Sequence, residues 1–314
     1  MHIQQLLEQH QIIAKNTVPE WMIGCFKRRS ISFASGETDL QTHVFWLQGR
    51  NLTIDLRLPI ESEMVTKAWD KCDEQELYQL ANYEGWSADS TWQNEQLSWS
   101  GGTSFQVHNR WPEPAILSRV GDCMIEASPY ESYIEDWRIT SRNAGALLSL
   151  ELINETNLTT GEIRHQGGAL IINSEWAGLV LGRANELSLS EQSNALREQV
   201  KKSVNDKNFL TQVFNFETSI AKGNLTTGFD VQFSTQPERV GKTLFSLEGF
   251  EFDEQANEIT QCFLEGDQQI KRRFSIDTIE ASFAYSGKTQ WNKSAKKWFD
   301  AEQETIGRYL QKLT

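Results

Sequence analysis

A chain of 314 residues carrying 43 acidic and 30 basic side chains, a net charge of −13, repels phosphate backbones and anionic bilayers, so nucleic acid and membrane are both excluded as expected partners. No run of about 18 apolar residues offers a membrane span, and no basic segment followed by an apolar stretch marks the chain for export. The four cysteines, Cys25, Cys72, Cys123 and Cys262, stand apart without a CxxC pair, which argues against a zinc knuckle or a disulfide framework and for reduced thiols in the cytoplasm.

In chain order, Ile3, Leu6, Leu7, His10 and Ile13 recur at helical spacing and predict an amphipathic helix over residues 2–15, with His10 a packed edge residue. Strands are expected from Trp21 onward. Phe26 to Phe33 is the first, and Val44 to Pro59 reads as two strands folded back through a turn at Gly49-Arg50. That turn would set Leu47 against Leu52, Phe45 against Ile54 and His43 against Leu56 on an apolar face. The other face would carry Trp46, Gln48, Asp55 and Arg57, a mixture suited to lining a cavity. Asp73 followed by Glu76 resembles a capping box and predicts a short helix within Asp70 to Asn82.

Further strands are expected at Gly85 to Trp92, Leu97 to Val107, Asp122 to Ala127, Tyr133 to Thr140, Ala146 to Ile153 and Ala169 to Leu181, punctuated by glycines. Such a meander closes as a barrel or a sandwich. Leu196, Val200 and Val204 at helical spacing make Leu187 to Asn205 a helical connector, after which strands resume at Phe209 to Thr218, Gly228 to Ser234, Thr243 to Phe252, Ile259 to Leu264 and Ile270 to Ile276. NLTTG occurs twice, at Asn157 to Gly161 and Asn224 to Gly228, a hint of duplicated barrels. A closing helix from Asn292 aligns Ala295, Trp298, Phe299, Ile306, Tyr309, Leu310 and Leu313. Buried core is the expectation for that stripe; left undocked, it would pair two copies of the chain as a homodimer. The resulting division is a helix at 1–19, a first barrel at 20–186, a connector at 187–207, a second barrel or sheet at 208–288 and a helix at 289–314.

Motifs of known chemistry are missing. His2, His10, His43, His108 and His165 lack the i, i+3 or i, i+4 partners of a metal site, and there is no GxSxG elbow, P-loop or GxGxxG. No metal or cofactor is called for. The glycine pairs after Ser100 and Gln166 read as hairpin turns. Polar residues within aromatic strands remain: Glu126 shares a face with Met124, and Glu135 with Trp137. A carboxylate inside a barrel gains proton affinity and can act as a base or orient a ligand, whereas Asp55–Arg57 and Asp136–Arg138 are more simply surface ion pairs. Eleven tryptophans, Trp46, Trp86, Trp92, Trp99 and Trp137 among them, are either plain core or the grip on an apolar or aromatic ligand.

RRSI from Arg28, VFWLQ and IDLRLP within Val44 to Pro59, GWSADS from Gly85, the run Trp99 to Gln106, MIEASPYESYIEDWRI from Met124 and FSTQPERVGKTLF from Phe233 resemble a group of proteobacterial proteins similar to small fungal cytosolic proteins built from lipocalin-like barrels. The resemblance spans Trp21 to Phe245. It implies a calycin-type antiparallel barrel, or two, and no activity to carry over. Trp86 stands where a smaller aromatic usually follows the glycine, and no histidine follows Trp99. The expectation is a mainly β, lipocalin-like, non-enzymatic cytoplasmic protein that binds a small apolar or aromatic ligand through Trp46, Gln48, Asp55, Arg57, Trp99, Glu126 and Trp137. The alternatives are a barrel enzyme with Glu126, Glu135 or Asp55 as acid or base, and an interaction module with a solid barrel.

Overall fold

The computed structural model describes residues 1–107, 113–187 and 195–310. Alternation of apolar and polar side chains builds the first sheet strand by strand: β1 (Gly24–Phe33), the two-residue β2 (Thr38–Asp39), β3 (His43–Gln48), β4 (Leu52–Leu58), β5 (Glu84–Gln93), β6 (Gln96–Ser104), β7 (Ala115–Val120), β8 (Cys123–Ala127) and β9 (Tyr133–Ile139). Each pairs antiparallel with the next in space, and β1 pairs with both β3 and β9. The sheet therefore closes as an eight-strand barrel with β2 appended to β1, which removes the unpaired edges an open sheet would leave.

The second sheet comprises β10 (Gly145–Asn157), β11 (Ile163–Asn173), β12 (Trp176–Arg183), β13 (Glu217–Asn224), β14 (Gly228–Ser234), β15 (Phe250–Asp253), β16 (Glu258–Glu265) and β17 (Gln268–Phe283), in the spatial order β14-β13-β12-β11-β10-β17-β16-β15. β14 and β15 do not pair, so this sheet is open. The break between the sheets thus falls at 140–144, and β10 to β12, expected within a first barrel at 20–186, belong to the second sheet. Helices α3 (Leu196–Lys202) and α4 (Lys207–Phe214) interrupt that sheet between β12 and β13. Phe209 to Phe214, expected as strand, is helix: Asp206 caps it by accepting from the Phe209 N–H at 3.0 Å, and Leu210, Val213 and Phe214 form its buried stripe. Ala169 to Leu181 is two strands joined at Ser174-Glu175, with Ser174 at φ +58°.

Both faces of the second sheet are buried. One packs Ala169, Ile171, Val180 and Ile220 against Phe45, Leu47, Ile54 and Leu56 on the outside of the barrel. Close approach there leaves no room for side chains: a Cβ on Gly178 would lie 3.0 Å from Leu47, and one on Gly85 2.5 Å from Thr218. The opposite face packs Leu148, Leu150, Leu152, Leu170, Ile172, Phe229 and Phe274 beneath α1 (Ile3–Gln9), whose Ile3, Leu6 and Leu7 are buried. α2 (Glu74–Leu80) carries the expected capping box, with Asp73 and Glu76 bonded reciprocally.

The closing helix α5 (Lys293–Ile306) is real but undocked. None of its residues is buried, and Trp298 is 61% exposed, which overturns the expectation of core. The two NLTTG copies are equivalent turns within the second sheet: Asn157 and Asn224 each accept two backbone N–H bonds through the side-chain oxygen, ahead of glycines at φ +76° and +95°. Turn chemistry explains the repeat without a duplicated barrel.

Candidate binding site

The hairpin of β3 and β4 turns at Arg50-Asn51, one residue later than expected, and pairs Leu47 with Ile54, Phe45 with Leu56, Trp46 with Asp55 and Gln48 with Thr53. Gly49 is needed for another reason. A Cβ there would sit 2.1 Å from the Ser149 hydroxyl of β10. The displacement moves every cross-strand partner by two positions, and since side chains alternate with period two, each face keeps its members. The apolar face packs on the second sheet, and Trp46, Gln48, Asp55 and Arg57 face the barrel interior.

From the other staves the interior receives Arg28 of β1, Trp86 of β5, Trp99 of β6, Glu126 of β8 and Tyr133, Glu135 and Trp137 of β9. Six of the seven sequence-predicted ligand residues, Trp46, Asp55, Arg57, Trp99, Glu126 and Trp137, converge with Trp86 around one void of about 10 Å³, the size of a single water. The seventh, Gln48, lies fully buried behind Trp46. It accepts from the Trp46 Nε1–H at 3.0 Å and the Thr53 hydroxyl at 2.6 Å, and donates to Ser90. Its hydrogen bonds tie Trp46 to the β3–β4 turn and to β5.

Tryptophan edges fill the interior. Trp46 meets Trp137 and Trp99 edge-on with centroids 5.5 and 6.0 Å apart, and Trp86 meets Trp99 at 6.1 Å. Such T-shaped contacts place a positive ring edge on a negative face. Ionic groups form a ladder between the rings. Arg28 donates to Glu135 at 2.7 Å and to Asp39 at 2.6 Å, and Arg57 donates through Nε to Asp55 at 2.8 Å. Asp55 is 3% exposed, so this pair is interior and the surface reading fails for it; Asp136–Arg138 lies on the outer face, half exposed, as a surface pair would.

Glu126 completes the set. It accepts from the Tyr133 hydroxyl at 3.2 Å and from the Trp137 Nε1–H at 3.1 Å. Burial, followed by the neighbouring Glu135 carboxylate, pushes its proton affinity well above the usual carboxylate range, against the opposing pull of Arg57. Burial also works against the Arg57 charge, yet Asp55, Glu135 and Glu84 around it hold the guanidinium firmly protonated.

Outside the void, Trp86 and Trp99 also form part of the wall of an open cleft of about 930 Å³ between the barrel and the second sheet. Two glycine pairs shape it. Gly101-Gly102 and Gly167-Gly168, expected as hairpin turns, lie within β6 and β11, at or beside β-bulges, all four with positive φ. A Cβ on Gly102 would fall 1.8 Å from the Ser87 carbonyl. Bulges of this kind bend a strand and re-aim its side chains. Arg183 at the end of β12 completes the wall. Trp99, expected as a ligand residue, and Trp86 are the sequence signals for this cleft, while the glycine pairs read as turns and Arg183 gives none.

Burial pushes the Cys25 thiol up to about 12 and the Cys72 thiol to about 11, so neither is an activated nucleophile. Among the described residues no group of three or more His, Cys, Asp or Glu is disposed to hold a metal; His108 lies outside them. No described helix is long and apolar enough to cross a membrane. Comparison with protein-family models, curated proteins and solved structures found no match to this chain.

Proposed function

We propose that this chain binds a small, largely apolar or aromatic molecule in the cleft between barrel and second sheet, laid against Trp86 and Trp99. The observation that carries the reading is the cleft itself: about 930 Å³ falls in the range of small-molecule sites, and its tryptophan wall is backed by the polar interior of the barrel. The packed interior supports a particular division of labour. A void of about 10 Å³ admits no ligand body, so Trp46, Asp55, Arg57, Glu126 and Trp137 act from behind the two contact tryptophans, fixing their orientation. The four free cysteines are in keeping with a cytoplasmic setting.

Titration with the neutral fluorophore N-phenyl-1-naphthylamine tests this. Saturable enhancement is expected, with Trp99→Ala weakening it at least five-fold while circular dichroism stays that of a β protein. Absence of saturable binding to the wild-type chain overturns the reading.

One observation favours a second reading, acid–base catalysis. A carboxyl whose proton affinity burial raises well above the usual range, as at Glu126, is suited to general-acid work, and it lines the same small void as Trp86 and Trp99, which border the cleft. In that case Glu126→Gln retains ligand binding but returns the ligand unaltered on mass spectrometry, where the wild type alters it.

A further inference from the structure

Most buried guanidiniums in the two sheets meet a carboxylate, but Arg183, like Arg119 of β7, bonds carbonyl oxygens instead. The buried guanidiniums of Arg28, Arg50, Arg57 and Arg272 each meet a carboxylate at 2.6–2.8 Å. Arg183, the only basic side chain among the described residues lining the cleft, has no carboxylate partner among the described residues. It bonds carbonyl oxygens alone: Nε donates to Val213 at 3.0 Å, Nη1 to Ser104 at 3.2 Å and Nη2 to Phe105 at 2.8 Å. The Phe105 and Phe216 rings flank the guanidinium at 5.2 Å each. Burial without a counter-charge lowers its pKa to about 10, a direct sign that the cation lacks compensation.

A guanidinium has five N–H donors, and three are committed. Two donors remain, one on each Nη, on a side chain that lines the cleft, and a guanidinium with donors to spare is suited to a carboxylate or sulfonate. We propose that the molecule bound in the cleft carries an anionic group, of the carboxylate or sulfonate kind, paired with Arg183 while its apolar body lies on Trp86 and Trp99. The inference rests on the ligand-binding reading above and adds the head-group chemistry. It runs against the field of the whole protein: at a net charge of −13 an anion is repelled everywhere unless a local cation receives it, so a preference for anions has few other sources.

The test compares two probes with a common body. 1-Anilinonaphthalene-8-sulfonate carries a sulfonate that N-phenyl-1-naphthylamine lacks. The wild type is expected to bind the sulfonate at least five-fold more tightly. Arg183→Gln should weaken sulfonate binding at least ten-fold and leave the neutral probe within two-fold, and Arg183→Lys should restore part of the preference. If Arg183 serves only to tie carbonyls together, Arg183→Gln lowers the thermal midpoint but leaves the ratio of the two affinities unchanged, which overturns the proposal. A measurement without a variant guards against misfolding: dodecanoate should displace the neutral probe at lower concentration than dodecanol, and the reverse order overturns the proposal as well. Binding of the neutral probe without preference defeats the anion inference alone, whereas binding of neither probe defeats the cleft reading and the inference with it.

Discussion

The barrel interior and the α1-covered face of the second sheet are cores of similar breadth built on opposite chemistry. Beneath α1 the buried cluster runs through leucines, isoleucines and phenylalanines, and the buried ion pair of that sheet, Arg272–Glu155, stands at its margin. Inside the barrel Arg28, Asp55, Glu126 and Glu135 are all at most 7% exposed, threaded between tryptophans. Apolar burial contributes about 25 cal/mol per Å² with no desolvation penalty for charge, whereas a buried ion pair barely offsets the cost of taking both ions out of water. The difference teaches that the apolar cluster beneath α1 stabilises the chain at little electrostatic cost, whereas the barrel interior spends stability on charge placement. Perturbed, paired carboxylates grouped beside a cleft are where function concentrates.

The largest expected effect would break this contrast. Glu135→Ala strands Arg28 in the barrel with only the rim carboxylate of Asp39, and should cost about 3–5 kcal/mol in urea denaturation. Replacing both partners, Arg28→Met with Glu135→Leu, should cost far less or nothing. If the double variant is as unstable as the single one, the pair is a stability device and the two cores differ less than their composition suggests.

A smaller effect sharpens it by pH. In the folded chain Glu126 keeps its proton to a higher pH than the ordinary 4.5. Above that value the unfolded glutamate ionises while the folded one does not, so rising pH favours the unfolded state and erodes stability that is fully present below 4.5. Glutamine has no proton to lose. Glu126→Gln should therefore gain on the wild type by about 1.4 kcal/mol per pH unit above the ordinary value, levelling off at the folded pKa. At pH 4 it should show only the modest cost of turning an amide N–H₂ toward Trp137 or Tyr133. A gap independent of pH would place the ionised form in the barrel.

Parity explains what could be read from the sequence. Which residues share a strand face follows from alternation alone, so Trp46, Asp55 and Arg57 were grouped correctly even with the hairpin turn misplaced by one residue. Which face points inward depends on β1 reaching β9, as in the pairing of Phe26 with Ile139, and no local pattern encodes it; Asp55–Arg57 and Asp136–Arg138 look alike in sequence and lie on opposite sides of the barrel wall. Contacts at a distance hid the rest. Gly49 reads as a turn glycine, yet Ser149, far along the chain, is what requires it. Gly101-Gly102 and Gly167-Gly168 read as turns and are bulges facing one cleft. The β11–β12 turn has Ser174 rather than glycine at positive φ, so its only mark in the run is the polar triplet Asn173-Ser174-Glu175. Phe209 to Phe214 was ambiguous because six residues are too few to tell period 2 from 3.6.

The two terminal helices supply the smallest expected effect. α1 buries Ile3, Leu6 and Leu7 in the second core, its Ile3 N–H donates to the Leu247 carbonyl, and Met1 just before it exchanges bonds with Phe250. α5 buries nothing, and its internal bonds, such as Lys296 to Asp300 at 2.9 Å, stay within the helix. A helix of 14 residues without packing is marginal in water, so it should add nothing to the sheets. A chain ending at Trp291 is expected to melt within about 2 °C of the full chain, while Leu6→Ala lowers the midpoint by the several degrees that about 2–5 kcal/mol represents. A clear loss of stability on truncation would mean that the stripe of Trp298, Phe299 and Ile306 is covered in solution. Sedimentation would then show whether a second copy of the chain covers it, because only a self-associated helix lets the full chain sediment as a dimer and the truncated one as a monomer.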